Sequence, residues 1–144
     1  MINVVRKNLS GLGYICWGVA LLSMIISLIF SELLKFPPCT LCWYQRVFMY
    51  PLVFILPIGL LSDDNKVSLY SLVLSFVGLV IALYHVLIYH GFIQEAFKVC
   101  TADLSCKTKQ FELFGLISIP VMSLASFSII FILSLIGVIY AKKD

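Results

Sequence analysis

Charged residues are scarce. Asp, Glu, Lys and Arg make up 12% of the 144 residues, against roughly 25% in an ordinary globular chain. Hydrophobic residues make up 62%. A soluble domain this small has too little interior to hide that much apolar surface, which excludes a soluble enzyme or binding domain. The mean hydropathy of +1.09 agrees. The net charge is only +3, and the ten Lys and Arg residues are scattered with at most two adjacent. No basic stripe for nucleic acid exists. There is no internal repeat, no low-complexity tract and no strand-like alternation. Arg6 and Lys7 precede an apolar run as in a signal peptide. That run exceeds a signal h-region, and no small-residue cleavage site follows it, so it reads as a retained helix.

What is present is four long apolar runs. A bilayer core of about 30 Å needs roughly 20 apolar residues in helix. Residues 12–30, 43–61, 67–92 and 114–140 meet that length. They predict an all-α membrane protein, a bundle of four transmembrane helices forming one domain over residues 1–144. Four spans place both termini on one side of the membrane. The link 62–66 joins them there, and the loops 32–42 and 94–113 share the opposite side. Aromatic residues mark the two interfaces: Tyr14, Trp17, Tyr70 and Tyr140 on the terminal side, Trp43, Tyr44 and Tyr89 on the other. Charge does not orient the bundle. Arg6, Lys7, Lys66, Lys142 and Lys143 face Lys35, Arg46, Lys98, Lys107 and Lys109, five against five.

Cysteine decides more. Of five cysteines, four fall in or beside the loops of one side: Cys39 and Cys42 as C-x-x-C, then Cys100 and Cys106 with five residues between. Cys16, inside the first span, reads as a small core residue. Without strands, a thioredoxin-like setting for the C-x-x-C is excluded. A redox dithiol and half of a four-cysteine zinc site both stand. The surroundings favour redox. Pro37 and Pro38 stiffen the approach to a helix start, where the helix dipole stabilises negative charge on sulfur. Arg46 follows Cys42 by four residues, on the same helical face. A zinc site gains less from a neighbouring guanidinium, because the metal supplies the charge.

His85 and His90 lie in the third span. His90 sits near its outer end as an interfacial residue. His85 is five residues deeper, about 7.5 Å at the helical rise, and Arg46 is about 6 Å below Cys42 by the same measure. Similar depth allows the two to face each other. Pro51, Pro57 and Pro120 fall inside spans, where kinks are tolerated if neighbours satisfy the freed carbonyls. Such kinks suit a cavity for a ring-shaped lipid-soluble ligand, and equally plain packing. Ser118, Ser123, Ser126 and Ser128 of the fourth span read as helix-packing groups.

These residues resemble the DsbB family of disulfide-bond-formation proteins. The stretch Pro38-Cys39-Thr40-Leu41-Cys42-Trp43-Tyr44-Gln45-Arg46 looks like that family's core motif. Cys100-x5-Cys106 looks like the short second pair of its BdbC-type members from Gram-positive bacteria. Phe114-Gly115-Leu116-Ile117-Ser118-Ile119-Pro120 resembles the start of the family's fourth helix. The resemblance implies a thiol:quinone oxidoreductase of the bacterial plasma membrane. It implies an extracytoplasmic thioredoxin-fold partner, which the protein reoxidises, and a quinone acceptor, menaquinone rather than ubiquinone. Cys100 would form the mixed disulfide with the partner, and Cys106 would exchange with Cys39. Cys42 would contact the quinone, with Arg46 and His85 beside it, and no metal is expected. Such a relay needs an oxidising face, so the cysteine loops are extracytoplasmic, both termini are cytoplasmic, and a monomer is the default. The short second pair leaves Cys106 less slack than in long-loop members. The vitamin K epoxide reductase family also pairs four spans with a quinone, but its C-x-x-C follows the loop pair, the reverse of the order here. Two alternatives are a four-cysteine metal site in a membrane binding protein and a tetraspan stapled by static disulfides. Neither explains Arg46 beneath Cys42.

Overall fold

The computed structural model describes residues 2–35, 38–62, 64, 66–92, 112–113 and 117–143. Four long helices dominate: α1 (Ile2–Leu28), α2 (Thr40–Leu61), α3 (Val67–Tyr89) and α4 (Ile119–Lys143). Four segments of 22 to 24 residues are long and apolar enough to cross a membrane: Ser10–Leu33, which runs past the end of α1, Thr40–Leu61, Val67–Tyr89 and Ile119–Lys142. The all-α four-span bundle expected from the hydrophobic runs is the fold. The principal contacts run α1–α2, α2–α3, α3–α4 and α4–α1, which closes the helices into a ring.

The helix ends depart from the expected spans where local chemistry overrides hydropathy. α1 is prolonged by a π-helical turn, Ile29–Leu33. That turn ends at Lys35, whose φ of 52° lies in the left-handed region and stops the helix. α2 starts at Thr40, three residues before the expected boundary, because Cys39 acts as its N-cap with extended backbone. α4 starts at Ile119 rather than 114. Just before it, β1 (Glu112–Leu113) pairs antiparallel with β2 (Ile117–Ser118). Pro120 therefore lies within the fourth span as expected, but in the first turn of α4, where proline costs no hydrogen bond and makes no kink.

The core is built from small and aliphatic residues. Cys16, Ala20, Leu52, Leu56, Ala82, Phe127 and Ile130 are buried together, so Cys16 occupies the core position expected of it. Gly78 lets α3 approach α4 closely: a Cβ there would collide with the fully buried Phe127 ring. Serine pairs add interhelical bonds, Ser71 to Ser134 between α3 and α4 and Ser23 to Ser126 between α1 and α4. Pro57 removes the N–H that would meet the Val53 carbonyl. The indole Nε1 of Trp17 donates to that carbonyl at 3.0 Å. Trp17 is thus an interhelical donor and not only an interfacial aromatic. Large apolar side chains such as Leu22, Phe54, Val73 and Ile132 remain exposed around the outside, a surface suited to lipid.

Candidate redox site

The site sits where α2 begins. The Sγ atoms of Cys39 and Cys42 are 3.2 Å apart, beyond the ~2.05 Å of a disulfide but close enough for one to form with little movement. The two sulfurs have different surroundings. Cys39, the N-cap, packs with Ile88, Leu41, Tyr84 and Cys42 itself and is not among the residues that line the cleft between α1, α2 and α4. Cys42, in the first turn of α2, lines that cleft and is half-buried.

Cys39 is the end of a chain of hydrogen bonds through three helices. The Ser123 hydroxyl of α4 donates to Gln45 Oε1 at 2.8 Å. The Gln45 amide nitrogen lies 3.1 Å from His85 Nδ1. With Gln45 donating there, the His85 proton sits on Nε2, 3.6 Å from Cys39 Sγ. Gln45 and His85 are buried, so each polar atom needs its partner. This arrangement lets His85 stabilise negative charge on Cys39.

Arg46 serves the other sulfur's side. Its Nε donates to Ser27 Oγ at 2.9 Å and its Nη2 to the Ser27 carbonyl at 3.0 Å. Its guanidinium carbon lies 5.4 Å from the Trp43 ring centroid, within cation–π range. Arg46 is therefore anchored inward to α1 rather than extended to the interface. The cleft it lines with Cys42 has a volume of about 120 Å³ and is walled by α1, α2 and α4, with Met49, Met122 and Phe127 among its apolar lining.

Similar depth allows His85 and Arg46 to face each other. Instead, His85 bonds Cys39 and Gln45 and is not among the residues lining the cleft, while Arg46 bonds Ser27 of α1. Cys100 and Cys106 lie outside the described residues. No local signal separates Ser123 from the other packing serines of α4, and none marks Ser27. Gln45, a polar residue in an apolar run, is the one available cue.

The sequence model of the family described as "Disulfide bond formation protein DsbB" matches residues 11–137. The chain belongs to the DsbB family. It is 45% identical over 130 residues to "Probable disulfide formation protein C 2" of Bacillus anthracis, covering 90% of this chain and 92% of that one. It is 42% identical over 121 residues to "Disulfide bond formation protein C" of Bacillus subtilis (strain 168), covering 83% and 86%. No solved structure matches it. DsbB-family membership, with four spanning helices, makes the chain a multi-pass membrane oxidoreductase of disulfide-bond formation.

Proposed function

We propose that the protein is a thiol:quinone oxidoreductase that reoxidises an extracytoplasmic thioredoxin-fold dithiol oxidase. The observation that carries this reading is the split environment of the C-x-x-C: Cys42 shares an apolar cleft with Arg46, while Cys39 is held by His85 on the other side. A quinone bound in the cleft, held by Arg46 against apolar walls, supplies a two-electron acceptor. The Tyr50 hydroxyl in the same wall, buried and without a hydrogen-bond partner among the described residues, supports a polar ring ligand there.

The chain's own steps are thiol–disulfide exchanges. The partner's thiolate attacks Cys100 of the Cys100–Cys106 disulfide and releases Cys106. Cys106 attacks Cys39, and Cys42 leaves as a thiolate into the cleft beside Arg46. The partner's second thiol resolves its mixed disulfide and frees Cys100. Cys100 then attacks Cys106, and Cys39 leaves as a thiolate facing the His85 N–H. Both departing sulfurs thus meet a group that stabilises their charge. Two electrons and two protons have passed from the partner to the Cys39–Cys42 pair, which surrenders them as its disulfide reforms. The cysteine loops face the extracytoplasmic side and both termini the cytoplasm.

The three donor atoms of Cys39, Cys42 and His85 lie within 4.8 Å of one another, which favours a soft-metal site as the second reading. The relay argues against it, because a proton on His85 Nε2 occupies the lone pair a metal needs. The test mixes reduced protein anaerobically with one equivalent of a quinone. The oxidoreductase reading expects one hydroquinone per Cys39–Cys42 disulfide formed, and none in Cys42→Ser. Thiols that stay reduced and hold stoichiometric zinc would establish the metal site instead.

A further inference from the structure

One polar group in the cleft takes no part in the exchange steps above and has been given no role toward a particular atom of the ligand. Tyr50 follows Arg46 by four residues, on the same face of α2 and one turn deeper, and lines the cleft. Its hydroxyl is buried and has no hydrogen-bond partner among the described residues. The serine hydroxyls around it are all engaged: Ser23 with the Val19 carbonyl and Ser126, Ser126 with the Met122 carbonyl, Ser123 with Gln45, Ser27 with Arg46 and Ser31 with the Leu28 carbonyl. Buried hydroxyls nearly always find a partner, and a membrane-spanning segment has no water at hand to provide one.

Geometry gives the missing partner its form. Helical side chains lean toward the helix N-terminus, so Tyr50 leans back toward Arg46. Arg46 spends two of its five N–H donors on Ser27. Two donor groups thus stand one turn apart, about 5–6 Å between their Cβ atoms, on the wall of an otherwise apolar cleft. A flat ring with carbonyl oxygens on opposite edges matches that pair, and a ring with one carbonyl satisfies only half of it. We propose that Tyr50 is the second hydrogen-bond donor to the cleft's ligand, holding the far carbonyl of a para-quinone whose near carbonyl meets Arg46. This assignment rests on the quinone reading above.

The test removes one oxygen atom, with Tyr50→Phe in the oxidised full-length protein. Three quantities are measured in detergent: the melting temperature without ligand, the dissociation constant of a short-chain 1,4-naphthoquinone, and that of its single-carbonyl analogue. A hydroxyl that bonds ligand and not protein predicts an unchanged or higher melting temperature. It predicts quinone binding weakened about tenfold, the effect of one lost hydrogen bond. It also predicts that the wild-type preference for the dicarbonyl ring shrinks by the same factor. Unchanged quinone affinity in Tyr50→Phe, or a lowered melting temperature without ligand, would overturn the assignment and leave the quinone reading standing. A wild-type protein that binds no quinone would remove both.

Discussion

Cys39 and Cys42 are three residues apart, yet α2 presents them to different neighbours, because one caps the helix in extended backbone and the other lies in its first turn. That division assigns separate consequences to separate side chains. Arg46→Ala should raise the apparent KM for quinone at least tenfold and leave the KM for the dithiol partner unchanged. Equal loss in both would make Arg46 a structural residue. Gln45→Leu keeps the bulk of the side chain but frees His85 Nδ1 from its partner. The rate at which Cys39 exchanges with a small disulfide should fall about tenfold, as for one buried hydrogen bond. Ser123→Ala, one bond further from the sulfur, should cost less. A Gln45→Leu rate equal to wild type would separate His85 from the chemistry of Cys39. Cys42 and Arg46 were legible in the sequence because their relation is local, one turn of one helix. Gln45, Ser123 and Ser27 were not, because their roles arise only where α2 meets three other helices.

Between elements, the bundle resolves a proline by borrowing from a neighbour. Trp17 of α1 meets the Val53 carbonyl that Pro57 leaves open. Trp17→Phe should destabilise the protein by about 1–3 kcal/mol, the cost of an unsatisfied buried carbonyl. Adding Pro57→Ala returns the helical N–H, so the Trp17→Phe cost should largely vanish in that background. Thermal melting of the four proteins of this cycle decides the matter, and additive effects would break the pairing. The α3–α4 seam depends on Gly78 in a similar way. Gly78→Ala forces a methyl group against the Phe127 ring, and overpacking of this kind costs typically about 1–3 kcal/mol. Phe127→Leu should restore part of it. The apolar runs made the helices themselves legible, since each span repeats one property over some twenty residues. Of the helix ends, the start of α2 at the C-x-x-C was legible from the prolines before it, and Cys39 caps it. The later start of α4 was not, because the β1–β2 pair before it depends on backbone geometry that hydropathy does not encode.

At the scale of the whole molecule, the ring of four helices gathers the C-x-x-C, the histidine and the arginine at one end of the bundle, against a cleft bounded by α1, α2 and α4. The exchange relay requires that end to face an oxidising compartment. A membrane-impermeant thiol reagent applied to intact cells with reduced cysteines should therefore label Cys100 and Cys106, and should not reach a cysteine added at either terminus. The reverse pattern would invert the topology and defeat the relay. The central claim is electron flow from a dithiol through this site to a quinone. Its most direct test is steady-state quinone reduction by the purified protein, supplied with a reduced thioredoxin-fold oxidase, beside Cys42→Ser and Cys100→Ser. Turnover by the wild type that both substitutions abolish is the expected result. Absence of turnover with both benzoquinones and naphthoquinones, in metal-free wild-type protein with Cys39, Cys42, Cys100 and Cys106 intact, would contradict the account.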